Sequence, residues 1–260
     1  MSDGGPSSRD VLVLCYHGVS PSWPDPTAVS PFALRRQVER LLARGWQPAT
    51  FTEAVTRAGS GRTLAVTFDD ALSSVIRLGW GVLRELGVPA TVFAPTAFVE
   101  SGGPFGWPGM DRWLGTQHES ELVGMTWDEL AQLRDDGWEI GSHSASHTRL
   151  TGLDDAELAA ELRDSKRAIE ARLGGCRSLA YPYSDVDERV AALARAAGYE
   201  AGAAVLPVRH RGDPMRFPRV PMVADETRLQ HRLHLSRWMR RLQATRPWPA
   251  VQWVARALGD

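Results

Sequence analysis

The regular alternation of short apolar runs with amphipathic stretches is the feature that most limits what this 260-residue chain can fold into. A short apolar run bounded by turn residues is typical of a buried strand, and a period near 3.6 residues is typical of a helix. Because strand-like runs alternate with helix-like stretches, the pattern predicts a parallel sheet with helices outside, either open or closed into a barrel. The predicted strands are Val11–Tyr16, Leu64–Phe68, Ala90–Ala94, Trp138–Gly141, Ser178–Tyr181, Ala201–Val205 and Phe217–Met222.

Capping signals locate the helices between these strands. Ser30 followed by Pro31 predicts a helix start, and Gly45 predicts its end. A capping-box pattern from Thr126 to Glu129 predicts a short helix that ends near Gly137. The other predicted helices are a stretch up to Leu86 weakened by Gly79 and Gly81, a long helix opened by Asp154 and Glu157 and closed by Gly174, and Asp185–Ala197. Residues 100–125 lack clear periodicity and are predicted to form a long surface loop.

Composition narrows the classes of protein that fit. A chain of this length with 43% hydrophobic residues suits one large domain of the α/β-barrel size class, or two small ones. The formal net charge of −1 gives no overall reason to expect nucleic acid or a membrane surface as partner. Only two cysteines, Cys15 and Cys176, are present, which excludes a disulfide framework and a cysteine-type zinc site. Cys15 is predicted to be a small core residue, and no apolar stretch is long enough for a transmembrane helix.

The two termini differ in character from the region between them. Residues 1–10 are polar and predicted to be flexible, and they lack the layout of a signal peptide. We therefore expect a cytoplasmic protein, although a chain whose leader had been removed would look the same. Residues 224–260 are predicted to form a basic amphipathic helical segment, which could dock on an anionic membrane or an acidic partner. We favour a terminal helix packed on the folded domain, residues 11–223, with a solvated basic face.

Two polar motifs stand where predicted strands end. Asp69 and Asp70 follow one strand, and His143 and His147 follow another. In α/β barrels the functional side chains lie on the loops after the carboxyl ends of the strands. Two histidines and one carboxylate can hold a catalytic metal and leave a position for water, and the second carboxylate is then free to act as a base. Taken alone, each motif could also be a capping aspartate or a pair of surface histidines.

The sequences Thr67-Phe-Asp-Asp70, His143-Ser-x-x-His147 and Ala180-Tyr-Pro-Tyr183 resemble, in order and spacing, the first three motifs of the NodB-homology polysaccharide deacetylases, carbohydrate esterase family 4. The resemblance implies a distorted (β/α) barrel of about seven strands. It also implies a divalent metal, usually zinc, and hydrolysis of an N-acetyl or O-acetyl group on a sugar. By position, Asp70, His143 and His147 are the implied metal ligands and Asp69 is the implied general base.

The third motif matches the family pattern at one position and differs from it at the next. Tyr183 matches the family residue whose backbone amide helps to hold the tetrahedral oxygen, whereas Ser184 stands where the family commonly has glycine. Many members also have an arginine just before this motif, where this chain has apolar residues. That form resembles the subgroup related to enzymes acting on poly-N-acetylglucosamine. In the same subgroup a late Pro-Arg segment is similar to Pro218-Arg219, so Arg219 is implied to orient Asp69.

The implied general acid is His17. Tyr16-His17 is similar to the N-terminal motif by which that subgroup supplies its acid, and a histidine can protonate a leaving amine near neutral pH. The common family layout uses a C-terminal Leu-x-His segment instead, which His231 and His234 match poorly. Trp107 and Trp113, in the 100–125 loop, are predicted to contact sugar rings through their aromatic faces.

We therefore expect a metal-dependent carbohydrate N-deacetylase. An amide hydrolase acting on a small non-sugar substrate would use the same centre. A non-catalytic sugar-binding module on the same fold is a further alternative, but binding alone has no need of the carboxylate of Asp69. Two histidines and one carboxylate also fit an iron oxygenase, which the spare carboxylate and the motif order disfavour.

Overall fold

The computed structural model describes residues 9–57, 60–99, 101, 103–205 and 212–223. The strands are β1 (Asp10–Tyr16), β2 (Gln47–Ala49), β3 (Arg62–Phe68), β4 (Ala90–Ala94), β5 (Glu139–Ser142), β6 (Ser178–Ala180), β7 (Ala201–Ala204), β8 (Phe217–Pro218) and β9 (Val220–Pro221). The α-helices are α1 (Pro31–Leu42), α2 (Phe51–Thr56), α3 (Trp80–Glu85), α4 (Trp127–Asp135), α5 (Asp155–Leu173) and α6 (Glu188–Ala196). The predicted alternation of strands and helices is confirmed, and β2 and α2 are additions that the sequence pattern did not predict.

All strand pairs are parallel, in the order β8-β7-β6-β5-β4-β3-β1-β9, and β2 pairs with β3. Only Arg219 separates β8 from β9, so one short segment pairs with β7 on one side and with β1 on the other. This segment closes the sheet, and the expected distorted (β/α) barrel is confirmed. The predicted single strand Phe217–Met222 is split because the segment leaves one neighbour and joins the next, and its two prolines cannot donate to a ladder.

Alternation along the strands separates two buried layers. Leu12, Leu14 and Tyr16 belong to the large core between the sheet and the helices, whereas Val11 and Val13 belong to a smaller cluster inside the barrel. Because side chains alternate between the two faces of a strand, Cys15 and His17 continue the interior face of Val11 and Val13 toward the carboxyl end. The interior cluster contains six alanines, which suits a narrow barrel.

Helix α2 closes the amino end of the barrel. Its Phe51 is fully buried and makes edge contacts with the rings of Phe93 and Phe217 in the interior cluster. The backbone N–H of Phe51 donates to the hydroxyl of Thr91, and that of Thr52 donates to Glu139, near the starts of β4 and β5. The side chain of Phe51 therefore fills the amino end of the barrel interior.

The helix caps agree with the sequence. The Ser30 hydroxyl accepts from the N–H of Ala33, the capping box of Thr126 and Glu129 is formed, and Gly174 ends α5 with φ +83°. The predicted stretch up to Leu86 is less regular than expected. It starts with a π-helical turn, Val75–Gly79, where the glycine packs close to Val19.

The predicted surface loop at 100–125 is more ordered than expected. It contains two 3₁₀ turns, Asp111–Trp113 and Glu119–Leu122, and it packs around an apolar cluster. The cluster includes Trp23, Leu72, Phe105, Trp107 and Leu122. Sequence periodicity did not predict this order, because the apolar residues of the loop pack against loops that are distant in sequence.

Two predictions on the termini fall largely outside the described residues. Of the predicted flexible residues 1–10, Asp10 already belongs to β1 and is buried. The basic segment 224–260, with His231 and His234, lies outside the described part of the chain. None of the described helices combines the length and the apolar character that crossing a bilayer requires.

Candidate functional site

The polar motifs meet at the carboxyl end of the barrel. His17 follows β1, Asp69 and Asp70 follow β3, His143 follows β5 and Tyr183 lies beyond β6. Together with His147 and Arg219 they line one cavity of about 260 Å³. The location agrees with the rule that functional groups in α/β barrels lie beyond the carboxyl ends of the strands.

Asp70, His143 and His147 form a tight buried cluster. The Nε2 atoms of both histidines lie 3.4 Å from Oδ1 of Asp70, and the three side chains are each at most 5% exposed. The Nδ1 atom of His143 is 2.8 Å from the carbonyl oxygen of Ala180. Because a carbonyl can only accept, Nδ1 of His143 carries a proton, and Nε2 is the ring nitrogen that faces Asp70.

This cluster fits a divalent cation. Oδ1 of Asp70 is buried without a hydrogen-bond partner, which is costly for a charged oxygen. One atom from each of the three residues lies within 4.8 Å of the others, so three electron-rich atoms converge on one point. A cation at that point would be bound by two imidazole nitrogens and one carboxylate oxygen, a donor set that suits zinc.

Asp69 is held by a different partner. Nη1 and Nη2 of Arg219 donate to its two carboxylate oxygens at 2.6 and 2.7 Å, and both residues are 4% exposed. Burial alone would raise the pKa of Asp69, but the positive charge and hydrogen bonds of Arg219, with the charge of His143, lower that pKa to about 2. Asp69 is therefore ionised at neutral pH and fixed in orientation.

His17 lies on the solvent side of this pair. Its Nε2 is 4.0 Å from Oδ2 of Asp69, and its side chain is 28% exposed. Its imidazole therefore lies beside the carboxylate in contact with both the cavity and solvent.

Tyr183 lines the cavity and has an unusual backbone conformation. The residue has φ +57°, and the neighbouring Ser184 has φ +58°. Its ring makes an edge contact with His147, and the guanidinium of Arg149 lies 4.3 Å from the ring centroid. Ser184, at the position where the family commonly has glycine, accepts a hydrogen bond from the N–H of Val205 at 2.8 Å.

Left-handed backbone is concentrated in the three motifs. Among the described residues, six non-glycine positions have positive φ: Asp70, Ala71, Ser144, His147, Tyr183 and Ser184. Such conformations are uncommon for residues with a Cβ and typically persist where surrounding contacts enforce them. Four of the six, Asp70, His147, Tyr183 and Ser184, line the cavity, so the local strain is concentrated at the candidate site.

The two predicted sugar-contact tryptophans differ in position. Trp107 lines the cavity, is 8% exposed, and lies parallel to the rings of His147 and Phe105 at centroid distances of 3.8 and 4.8 Å. Little of its aromatic face is left for a sugar. Trp113 is not among the cavity-lining residues, and its Nε1 donates to Asp25.

The comparison with known proteins agrees with this geometry. The family model described as polysaccharide deacetylase matches residues 56–202, more than half of the chain. The chain belongs to the polysaccharide deacetylase family. The family suggested by the three motifs is thereby confirmed.

Individual relatives of this deacetylase family are distant. A protein of Bacillus subtilis (strain 168) named as a polysaccharide deacetylase, YxkH, is 22% identical over 201 residues, covering 75% of this chain and 64% of that protein. The chain thus spans a little under two thirds of that relative. BC0361, a polysaccharide deacetylase from Bacillus cereus, has a TM-score of 0.71 at 20% identity over 87% of this chain and 69% of that one. IcaB from Ammonifex degensii has a TM-score of 0.67 at 21% identity over 90% and 100%, and both structures share the fold.

Two residues that line the cavity were not predicted as site residues from the sequence. Cys15, predicted to be only a core residue, lines the cavity with Sγ 3.5 Å from Oδ2 of Asp69, and burial raises its thiol pKa well above the usual range. Its position two residues before His17, on the same face of β1, could have indicated this. Asp25 joins two loops beside the cavity by accepting from Arg112 and Trp113. No local sequence pattern predicts that Asp25 links these loops.

Proposed function

We propose that this chain is a metal-dependent hydrolase that removes N-acetyl groups from a carbohydrate. The observation that carries the proposal is the different environment of two adjacent carboxylates. Asp70 converges with two imidazoles, whereas Asp69 is paired with Arg219 and faces His17. A cluster that only bound sugar would have no need of a second, ionised carboxylate at the same cavity.

Asp70, His143 and His147 are the residues that would hold the metal, with Zn²⁺ or another divalent ion as cofactor. When bound, such an ion supplies Lewis-acid polarisation of the acetyl carbonyl and lowers the pKa of a coordinated water. Asp69 is the group that accepts the proton of the attacking water, because its carboxylate is ionised at neutral pH and is not part of the proposed ligand set. Arg219 keeps that carboxylate aimed at the cavity.

The leaving amine needs a proton, which we assign to His17. An imidazole is suited to proton donation near neutral pH, and this one borders the same cavity as the two carboxylates. The backbone N–H of Tyr183 is assigned to donate to the developing oxyanion. In this scheme Asp69 takes a proton from the attacking water, and His17 gives a proton to the leaving amine as the C–N bond breaks.

The size of the cavity bears on the substrate. A volume of about 260 Å³ lies just below the range of roughly 300–1,000 Å³ usual for small-molecule pockets. A cavity of this size can take a single acetylated sugar unit. The polysaccharide deacetylase family and relatives with that name support a carbohydrate substrate, and we favour N-acetyl over O-acetyl because the assigned acid serves an amine leaving group.

Acetate release from N-acetylglucosamine oligomers, measured together with bound metal, tests the proposal. The wild-type chain should bind about one divalent metal and release acetate, and His143→Ala should lose both. His118→Ala removes a histidine outside the cavity lining and serves as the matched control. Equal metal content in wild type and His143→Ala would contradict the ligand set.

Two other outcomes would redirect the assignment. Metal binding with cleavage of small non-sugar amides but no acetate from any oligomer would favour the small-amide hydrolase. Oligomer binding without hydrolysis, by a metal-loaded protein, would favour a binding module. An O-acetylated sugar assayed in parallel distinguishes ester from amide preference.

A further inference from the structure

The two histidines of the metal-binding cluster are held in place by different interactions. His143 is oriented by a hydrogen bond from its Nδ1 to the carbonyl of Ala180, at 2.8 Å. A metal-ligating histidine usually has such an acceptor for its second nitrogen, because the bond fixes both the tautomer and the rotation of the ring. Nothing about His143 is therefore unusual.

His147 lacks this restraint. Its Nδ1 is buried and has no hydrogen-bond partner. Its backbone is fixed by φ +55° and by an N–H bond to the Ser144 hydroxyl, but neither restrains rotation of the ring. Some other contact must hold the imidazole with Nε2 toward Asp70.

Three ring contacts surround the imidazole. His143 and Tyr183 meet it edge-on at 4.8 and 4.9 Å, and Trp107 alone of the three stacks parallel to its face. The ring centroids of Trp107 and His147 are 3.8 Å apart with an interplanar angle of 19°. Phe105 packs parallel to the same indole at 4.8 Å, and Phe98 packs against it edge-on at 5.5 Å. The indole is thus fixed by its own neighbours and can fix the imidazole in turn.

We propose that Trp107 is a positioning residue for His147, replacing by ring stacking the hydrogen bond that orients His143. The proposal rests on the metal site of the proposed function. An aromatic face is electron-rich, and an imidazole becomes more positive when it donates its lone pair to a cation. The stack should therefore favour the metal-bound form of His147, and its strength should follow the aromatic face rather than side-chain volume.

Zn²⁺ affinity of the metal-free protein, measured by competition with a chromophoric chelator, tests this role without relying on activity. Trp107→Leu should weaken Zn²⁺ binding by about 10- to 100-fold, the range typical of lost orienting contacts around metal ligands. Trp107→Phe, which keeps a stacking face, should recover most of that loss. Trp23→Leu makes the same substitution in the same apolar cluster, at a residue that does not line the cavity, and should stay within about twofold of wild type.

Fluorescence adds a signature that a merely structural role would not give. Binding of Co²⁺ to the wild type should quench the emission of the stacked indole, and Trp107→Phe should lose that quenched component. The proposal is overturned if Trp107→Leu binds Zn²⁺ as tightly as wild type while His143→Ala does not bind. That result would support the metal ligands and exclude a positioning role for Trp107. The proposal is equally overturned if Trp23→Leu and Trp107→Phe weaken binding as much as Trp107→Leu, because loop packing would then be responsible. A wild-type chain that binds no divalent metal would refute the proposed function itself.

Discussion

The ion pair between Asp69 and Arg219 should dominate the response of this protein to mutations near its cavity. We consider Asp69→Asn, Arg219→Met and the double variant. Asparagine has nearly the shape of aspartate, and methionine fills much of the volume of arginine without its charge. Each single change leaves one buried group without its partner, whereas the double change removes both charges.

The magnitude follows from burial and geometry. Both residues are 4% exposed and share two hydrogen bonds of 2.6 and 2.7 Å. Breaking a buried pair of this kind by removing one partner costs about 3–5 kcal/mol, mainly because a buried charge is left uncompensated. The lowering of the Asp69 pKa from 3.8 to about 2 corresponds to about 2.5 kcal/mol at 1.36 kcal/mol per unit, which agrees in order of magnitude.

Urea unfolding of the four metal-free proteins at pH 7 measures this coupling. We expect each single variant to lose about 3–5 kcal/mol of unfolding free energy, and the double variant to lose less than the sum by at least about 2 kcal/mol. Additive losses within about 0.5 kcal/mol would refute the reasoning, because uncoupled residues behave in that way. The folded Asp69→Asn protein should keep its metal and lose most turnover, because the amide cannot accept the proton of the attacking water.

The same pair predicts a dependence of stability on pH. The pKa of Asp69 is depressed in the folded state, so its contribution is fully present above the unfolded value near 4 and is lost as the pH falls toward 2. The wild type should therefore lose stability relative to the double variant across this window. Parallel acid profiles of the two proteins would contradict the assignment.

Two further predictions concern the acid and the barrel interior. His17→Ala should lower kcat about 100-fold or more for an amide substrate and much less for an activated acetyl ester, whose leaving group needs no proton. His231→Ala and His234→Ala should have almost no effect on kcat. Equal losses of kcat on both substrates would contradict the assignment of His17 as the acid. Gly141→Ala should destabilise the fold by about 1–3 kcal/mol, because the added carbon would lie 2.6 Å from the ring of Phe93 and 2.8 Å from the hydroxyl of Ser178. Gly81→Ala, in open space on α3, should be neutral or slightly stabilising, and thermal unfolding in which Gly141→Ala matched it would contradict the packing described.

Local patterns predicted much of this fold because its strands and caps are encoded locally. β4 was predicted with its observed bounds, and the caps at Ser30, Thr126 and Asp154 form as expected. β2 and α2 were missed because each is short: three residues including a proline, and six residues whose stability depends on the barrel end that they cover. The apolar packing of residues 103–125 depends on contacts with loops that are distant in sequence.

The candidate site divides in the same way. The order of the motifs predicted that Asp69, Asp70, His143 and His147 share one site, and in the structure all four line one cavity. The partner of Asp69 lies 150 residues further along the chain, so no spacing rule could pair it with Arg219; only the family resemblance pointed there. The stack of Trp107 on His147 had no sequence signal beyond an aromatic residue in a loop, because ring geometry is set by Phe98 and Phe105 around it.

Closure of the barrel by the segment around Arg219 has a consequence for the order in which the protein can mature. During synthesis from the amino end, β1 and β3 can pair early, but the other edge of β1 has no partner until residues 220–221 have emerged. Until then that edge offers unpaired backbone groups to other chains, which is a known route to misassembly. The same late segment delivers the guanidinium that fixes Asp69. A chain that ends before this segment would therefore expose one edge of β1 and would leave Asp69 without its ion-pair partner, and docking of the segment corrects both defects.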